Sequence, residues 1–286
     1  MITEKTVQEE LWPVVQRLIA ATLADDEKAA RRELVPNRPV ADMLAMFGLT
    51  SLDICLKTVL LSESCALRQA ILTDGGRYIY LEYLWAGAEP AGSESFLATA
   101  YVTVKLRLYR DRWRVEDINP SSLEMLLSAP RARAILLTTP EFQQTGAFPQ
   151  APWVLPLALY SGLLQLPLRE DAVDDEVEAL FLSRMQERGY EVMALVLGRR
   201  LWRDFKRKRQ LKKVPRSEQT AYAAAVEFIM NEQTASELEL APLCEEYEAL
   251  LPVTENFVRR IKSLLKLEQV DERYTTLFNE EVRVRG

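Results

Sequence analysis

FLATAYVTVKLRLYRDRWRVEDINP, residues 96–120, decides the reading of the first half of the chain. Phe96, Ala98, Ala100, Val102, Val104, Leu106 and Leu108 fall on one face of an extended strand. Thr99, Tyr101, Thr103, Lys105, Arg107 and Tyr109 fall on the other. A period of two residues marks a strand buried on one side. Arg110-Asp111-Arg112 turns the chain, and Trp113 to Pro120 predicts the closing strand. Upstream, Arg77 to Trp85 and Ala66 to Leu72 are two further strand-like runs. Between them Asp74-Gly75-Gly76 is a hairpin signal. Gly87 to Ser95 reads as a loop. Leu52, Ile54 and Leu56 alternate with Asp53, Cys55 and Lys57, which predicts a strand before these.

Before the strands the period is helical. Val7, Leu11, Val14, Val15, Leu18, Ile19 and Leu23 recur at helix spacing, with Pro13 marking a first turn or a kink. Asp25 and Asp26 can cap a second helix through Arg32. Pro36 and Pro39 break it, and Val40 to Phe47 predicts a third helix ended by Gly48. Helices, then an antiparallel meander ending in a long strand, a tight turn and WRVEDINP, resemble the SnoaL-like or nuclear-transport-factor-like superfamily over about residues 5–120. The resemblance implies an N-terminal α+β domain of helices on a curved antiparallel sheet, forming a cone with an apolar pocket. It implies a small-molecule enzyme, a ligand binder or an interaction domain, and a homodimer paired through the open sheet face. A fold of this kind does not fix function.

From Val154 the pattern is helical almost to the end. Helices are expected over Asp171–Gln186, over Gly189–Trp202 running into Arg203–Lys213, and over Gln219–Asn231 with Ser217 as cap. Two more are expected over Leu240–Leu250 and Thr254–Leu267. Short helices at Ser122–Leu127 and Arg131–Leu137 would join the halves, and the tail from Arg273 has little periodicity. The expected division is an α+β domain over 1–128 and an all-helical domain over 129–286. Phe142 to Leu168 carries no formal charge, but Pro149, Pro152, Pro156 and Pro167 interrupt it. It reads as a buried inter-domain segment, not a membrane span. The N-terminus lacks the layout of a signal peptide, so a cytoplasmic location is expected.

Composition excludes several chemistries. The chain has 286 residues and no histidine. Imidazole-based nucleophile activation, paired-histidine zinc sites and histidine pH switches all fall away. Cys55, Cys65 and Cys244 form no C-x-x-C, and they read as buried thiols in a reducing compartment. No Gly-rich phosphate loop occurs. No cofactor and no metal is expected. The net charge of −6 gives no global attraction to nucleic acid or lipid, so any basic surface must be local.

One is present. Arg199 to Arg216 holds ten Lys or Arg and one acid: Arg199, Arg200, Arg203, Lys206, Arg207, Lys208, Arg209, Lys212, Lys213 and Arg216, against Asp204. Such a run can neutralise phosphates. It can equally be a helical face packed on an acidic neighbour, and Asp171 to Glu178, with five acids, could supply one. Downstream, Leu243-Cys244-Glu245-Glu246-Tyr247 and Phe257-Val258-Arg259-Arg260-Ile261-Lys262 resemble the paired helices of a degenerate helix-turn-helix. The resemblance implies Asn256 and Arg259 at base edges, with Arg260 and Lys262 on phosphates. Glu248 stands where that motif usually has glycine, and residues 217–286 hold 14 acids against 7 bases.

The N-terminal sheet offers a second candidate. Tyr83, Trp85, Phe96, Tyr101 and Trp113 could wall a ligand pocket, with Asp53 and Asp117 as carboxylates on neighbouring strands. Two readings follow. The first is a non-catalytic regulatory or interaction protein that binds nucleic acid or an acidic partner through the basic helix. The second is a small-molecule binder or enzyme using the N-terminal pocket. The absence of histidine and the basic run favour the first.

Overall fold

The computed structural model describes residues 4–60, 65–73, 78–85, 101–120, 165–234, 238–271 and 273–275. The described residues form a mixed α+β chain that is mainly helical. Two compact units emerge, Met1–Tyr160 and Ser161–Arg285. The division falls later than residue 128, inside the uncharged stretch from Phe142 to Leu168. Most of that stretch, the two short joining helices, the hairpin Asp74-Gly75-Gly76 and Phe96 lie outside the described residues. Among the described residues no helix is long and apolar enough to cross a membrane.

In the first unit, α1 is Trp12–Leu23, α2 Glu27–Glu33, α3 Pro39–Phe47 and α4 Leu49–Leu60. A π-helical stretch, Val7–Leu11, leads into α1, where Pro13 occupies the first turn. Proline has no N–H, and its ring crowds the carbonyl four residues back. A wider turn there makes room for it. The Asp26 side chain accepts the Ala29 N–H at 2.9 Å and caps α2. Gly48, at φ 74°, ends α3 in a backbone region that glycine tolerates.

The strands are β1 Cys65–Thr73, β2 Tyr78–Trp85, β3 Tyr101–Tyr109 and β4 Arg112–Pro120. They pair antiparallel in sequence order. Arg110 and Asp111 both have positive φ, 50° and 59°, as a two-residue hairpin turn requires. Val104, Leu106, Val115 and Ile118 are fully buried. Helix α4 packs against β2, β3 and β4, and α3 against β4. The Val35 N–H donates to the Val115 carbonyl at 2.8 Å, tying the segment after α2 to the sheet. An extra residue in β4, between the pairs Lys105–Asp117 and Leu106–Val115, is Glu116. It is buried and ion-paired to Arg38 at 2.9 Å and Arg107 at 3.4 Å.

Two expectations are corrected here. Leu52 to Leu56 is not a strand; it lies within α4. Leu52, Cys55 and Leu56 are all fully buried, which is helix spacing. In this short window Leu52 and Leu56 satisfy both periods, so alternation alone misled. Nor do the described residues give the curved, cone-forming sheet. They give a four-stranded meander with helices against it.

The second unit is helical: α5 Glu176–Glu187, α6 Val192–Arg209, α7 Arg216–Gln233, α8 Leu240–Glu246 and α9 Leu251–Leu265. Helix α5 starts at Asp175, whose side chain accepts the Glu178 N–H at 2.9 Å. The expected start at Asp171 falls instead near a single 3₁₀ turn, Glu170–Ala172. Helix α6 ends at Arg209, short of Lys213, because Gln210 turns left-handed at φ 56°. Pro215, not Ser217, is the cap of α7. Trp202, Phe205 and Tyr222 form an aromatic cluster, and Phe257 stacks on Tyr222 with centroids 3.7 Å apart, joining α6, α7 and α9. A Cβ at Gly198 would meet Met230 Cγ at 3.3 Å and Met185 Sδ at 3.5 Å, so glycine there lets α6 approach α7 and α5.

The α8–α9 connection is tight. The Ala249 N–H donates to Cys244 O at 2.8 Å and the Glu248 N–H to Glu245 O at 3.1 Å. Glu248 sits at φ 52°. This is a Schellman ending with glutamate in the glycine position. The left-handed backbone costs a non-glycine residue about 1–2 kcal/mol, while glycine costs about 0.4–1 kcal/mol through the unfolded chain. Glu248→Gly is expected to raise stability by roughly 0.5–1 kcal/mol, read as a higher urea midpoint by far-UV circular dichroism. An unchanged or lower midpoint would mean that the turn carries no such strain.

Candidate functional site

The basic run divides into two rows, and the cause is its helical period. Arg199, Arg203 and Lys206 share one face of α6. The start of α5 presents Asp174, Asp175 and Glu178 to that face. Arg199 is almost wholly buried, and its Nε lies 2.6 Å from Glu178 Oε1. It also donates to the Ala172 carbonyl. Arg203 pairs with Asp174 at 2.7 Å and Lys206 with Asp175. Asp175 further accepts the indole N–H of the buried Trp202 at 3.1 Å. Arg203 and Lys206, expected at an anionic partner, are thus neutralised within the unit.

The other row faces outward. Arg207, Lys208, Arg209, Lys212 and Lys213 are exposed. Arg207 pairs with Asp204 at 2.7 Å in an exposed geometry that contributes little. Lys208 Nζ donates to the Leu264 carbonyl at 3.3 Å. That carbonyl belongs to the last turn of α9, where helix carbonyls lack intrahelical donors and cations are favoured. The contact places the basic end of α6 beside the C-terminal end of α9.

Helix α9 buries Thr254, Phe257, Val258, Ile261 and Leu265. Glu255, Asn256, Arg259 and Arg260 lie on its exposed side. Lys262 does not join them. It pairs with Glu232 at 2.6 Å and lies 5.9 Å from the Phe228 ring centroid. Around α8 and the start of α9 the same three-helix group is acidic, with Glu239, Glu245, Glu246, Glu248 and Glu255 all exposed.

Sequence reasoning missed a second buried carboxylate. Glu227 on α7 is fully buried, accepts the Tyr247 hydroxyl at 2.5 Å and lies 2.7 Å from Arg188 Nε. Arg188 also pairs with Glu246. Burial pushes Glu227 above the ordinary carboxylate range against the pull of Tyr247 and Arg188, and burial pushes Tyr247 up as well. Short helix α8 is thereby held to α7. The tail, too, is anchored at its start. The fully buried Tyr274 donates to Asp204 at 2.8 Å, and the Asp271 N–H donates to Gln233 Oε1 at 2.7 Å. A lone aromatic after a polar stretch gives no periodic signal, so only the Tyr274 side chain itself hinted at this.

In the first unit the expected pocket residues are spread over α4, β2, β3 and β4, with Phe96 outside the described residues. Asp53 lies on α4, not on a strand. Tyr83 pairs with Val102 and Tyr101 with Leu84. Tyr83 and Trp85 are therefore in register phase with Val104 and Leu106, and Tyr101 is in the opposite phase. Asp117 pairs with Lys105, in phase with Tyr101, and its side chain accepts the Ile118 N–H at 3.0 Å. Trp113 pairs with Leu108 and is half-buried. Cys55 and Cys244 are buried.

No protein-family model matches the chain, and no curated protein or solved structure is significantly similar to it.

Two predictions follow from the α5–α6 interface. Glu178→Ala would leave the Arg199 charge buried beside Ala172, a loss of roughly 3–5 kcal/mol. Replacing both, as Glu178→Met with Arg199→Met, is expected to recover most of that loss in urea denaturation. Equal losses for the single and double variants would refute the pairing. The second concerns pH. Burial disfavours ionised Asp175, but hydrogen bonds from Lys206, the Glu178 N–H and Trp202 outweigh it and hold Asp175 below its ordinary 3.8. Its contribution is present above 3.8 and is lost as pH falls through the lower folded value. Asp175→Asn should therefore flatten the acid limb of the stability–pH curve, and an unaltered limb would dismiss this assignment.

Proposed function

We propose that the second unit is a binding module for a polyanion, with nucleic acid the ligand that fits best, and that the chain acts as a regulatory or interaction protein. The observation that carries this is the sorting of the basic run. Internal acids take up the row Arg199, Arg203 and Lys206, while Arg207, Lys208, Arg209, Lys212 and Lys213 remain at the surface. A solvated helical face serving only to balance Asp174, Asp175 and Glu178 needs the first row and not the second. Five exposed cations within seven residues are a local phosphate-binding surface on a chain whose net charge is −6. The three-helix group α7–α9, with its tight α8–α9 turn, supports the resemblance to a helix-turn-helix. For the first unit, helices packed on a four-stranded antiparallel meander form a scaffold whose role in this reading is interaction.

The test is fluorescence anisotropy of the full chain with labelled random duplex and single-stranded DNA across a salt series. Arg209→Ala, Lys212→Ala and Lys213→Ala together are expected to weaken binding at least about tenfold, since each removes a phosphate contact, without loss of fold by circular dichroism. Absence of binding at low salt, where screening is weakest, would overturn the proposal.

A further inference from the structure

The charge distribution around α9 bears on how a nucleic acid would lie on this unit. A recognition helix that reads bases enters the major groove with its N-terminal residues at the base edges, and phosphates pass close by on both sides. Here the approach to that end is acidic. Glu245, Glu246 and Glu248 precede it and Glu255 lies in its first turns, all exposed. Like charge against phosphate is unfavourable, and the overall charge of the chain does not offset it. The exposed cations of α9 lie further along, at Arg259, Arg260 and, just past its end, Lys266. Arg260 is one turn before Leu264, whose carbonyl Lys208 contacts at 3.3 Å. Arg260 and Lys266, and Arg209, Lys212 and Lys213, therefore all lie within a few residues of that contact, a basic strip at the last turns of α9 and the end of α6 that also holds the exposed Glu268. Lys262, the cation that the resemblance placed on a phosphate, is tied to Glu232.

Building on the polyanion reading, we infer that this strip follows a phosphate backbone without reading base sequence, and that the N-terminal end of α9 stays out of the groove. Asn256, on the exposed side of α9 toward its acidic end, then makes no base contact. Specificity in such a surface comes from backbone shape and charge density.

The test uses the full chain and random-sequence 20-base-pair duplexes, with two readouts. The first is selection of bound sequences from a randomised pool over several rounds. No enriched motif is expected, and Asn256→Ala is expected to change affinity less than twofold. The second compares charge variants. Arg260→Ala with Lys266→Ala should weaken binding about tenfold or more and make the salt dependence shallower by close to two, because each lost contact removes nearly one unit of slope. Glu248→Gln with Glu255→Gln should change affinity less than threefold at physiological salt, where charges beyond about 8 Å are screened. An enriched motif lost in Asn256→Ala, or strong tightening on removing the two glutamates, would overturn the inference and leave the binding proposal standing. Failure of the unaltered chain to bind any duplex or single strand would instead overturn that proposal.

Discussion

The second unit is organised by one charged contact, Arg199 against Glu178. Arg199 is almost wholly buried and Glu178 is fully buried. Taking such ions out of water costs several kcal/mol each, so the pair depends on how far the remaining donors are matched. Arg199 Nη2 meets the Ala172 carbonyl and lies 3.9 Å from Asp174, while Nη1 is buried without a hydrogen-bond partner among the described residues. Once that contact is fixed, the rotation of α6 about its axis is fixed. Arg203 and Lys206 must then face Asp174 and Asp175, and Trp202 and Phe205 must enter the aromatic cluster with Tyr222. Arg207, Lys208 and Arg209 are set outward by the same rotation, and Lys212 and Lys213 follow just past the end of α6.

A second buried carboxylate does for α8 what Glu178 does for α6. Helix α8 spans only Leu240–Glu246, too short to be stable alone. It is held because Tyr247 at its end donates to Glu227, and because Arg188 reaches both Glu227 and Glu246. These contacts set α8 beside α7 and aim the turn into α9. The result is a three-helix group whose exposed acids and bases are separated, with glutamates around α8 and cations toward the far end of α9.

How much of this the sequence reveals depends on the range of the interaction. Local signals are legible. The cap at Asp26, the stop at Gly48, the turn at Arg110–Asp111 and the alternation in β3 all follow from neighbouring residues. The segment Leu52 to Leu56 fails because its few apolar residues satisfy two periods, and burial against the sheet decides between them. Both pairing fates of the basic run can be named from the sequence, but not which residue meets which. The phase of α6 relative to Asp174, Asp175 and Glu178 is a tertiary property. Glu248 is the same kind of case. Glycine is favoured at φ 52°, yet the turn forms without it because the helices on either side are pinned by Glu227 and Phe257.

The sorting of charges also changes what the count of ten cations between Arg199 and Arg216 means. A cation already paired with a carboxylate of its own unit releases fewer counterions from a phosphate and adds less to salt-dependent affinity. Arg199, Arg203 and Lys206 count for less for that reason, and Arg207 is shared with Asp204. What remains is a smaller strip beside an acidic edge, on a chain that is acidic overall. At low salt the fields of both the strip and the acidic edge extend further from the surface. At physiological salt those fields are screened beyond about 8 Å, while direct contacts persist. In the proposed reading such a surface would engage only a short stretch of backbone, its reach set by the two helix ends that Lys208 joins.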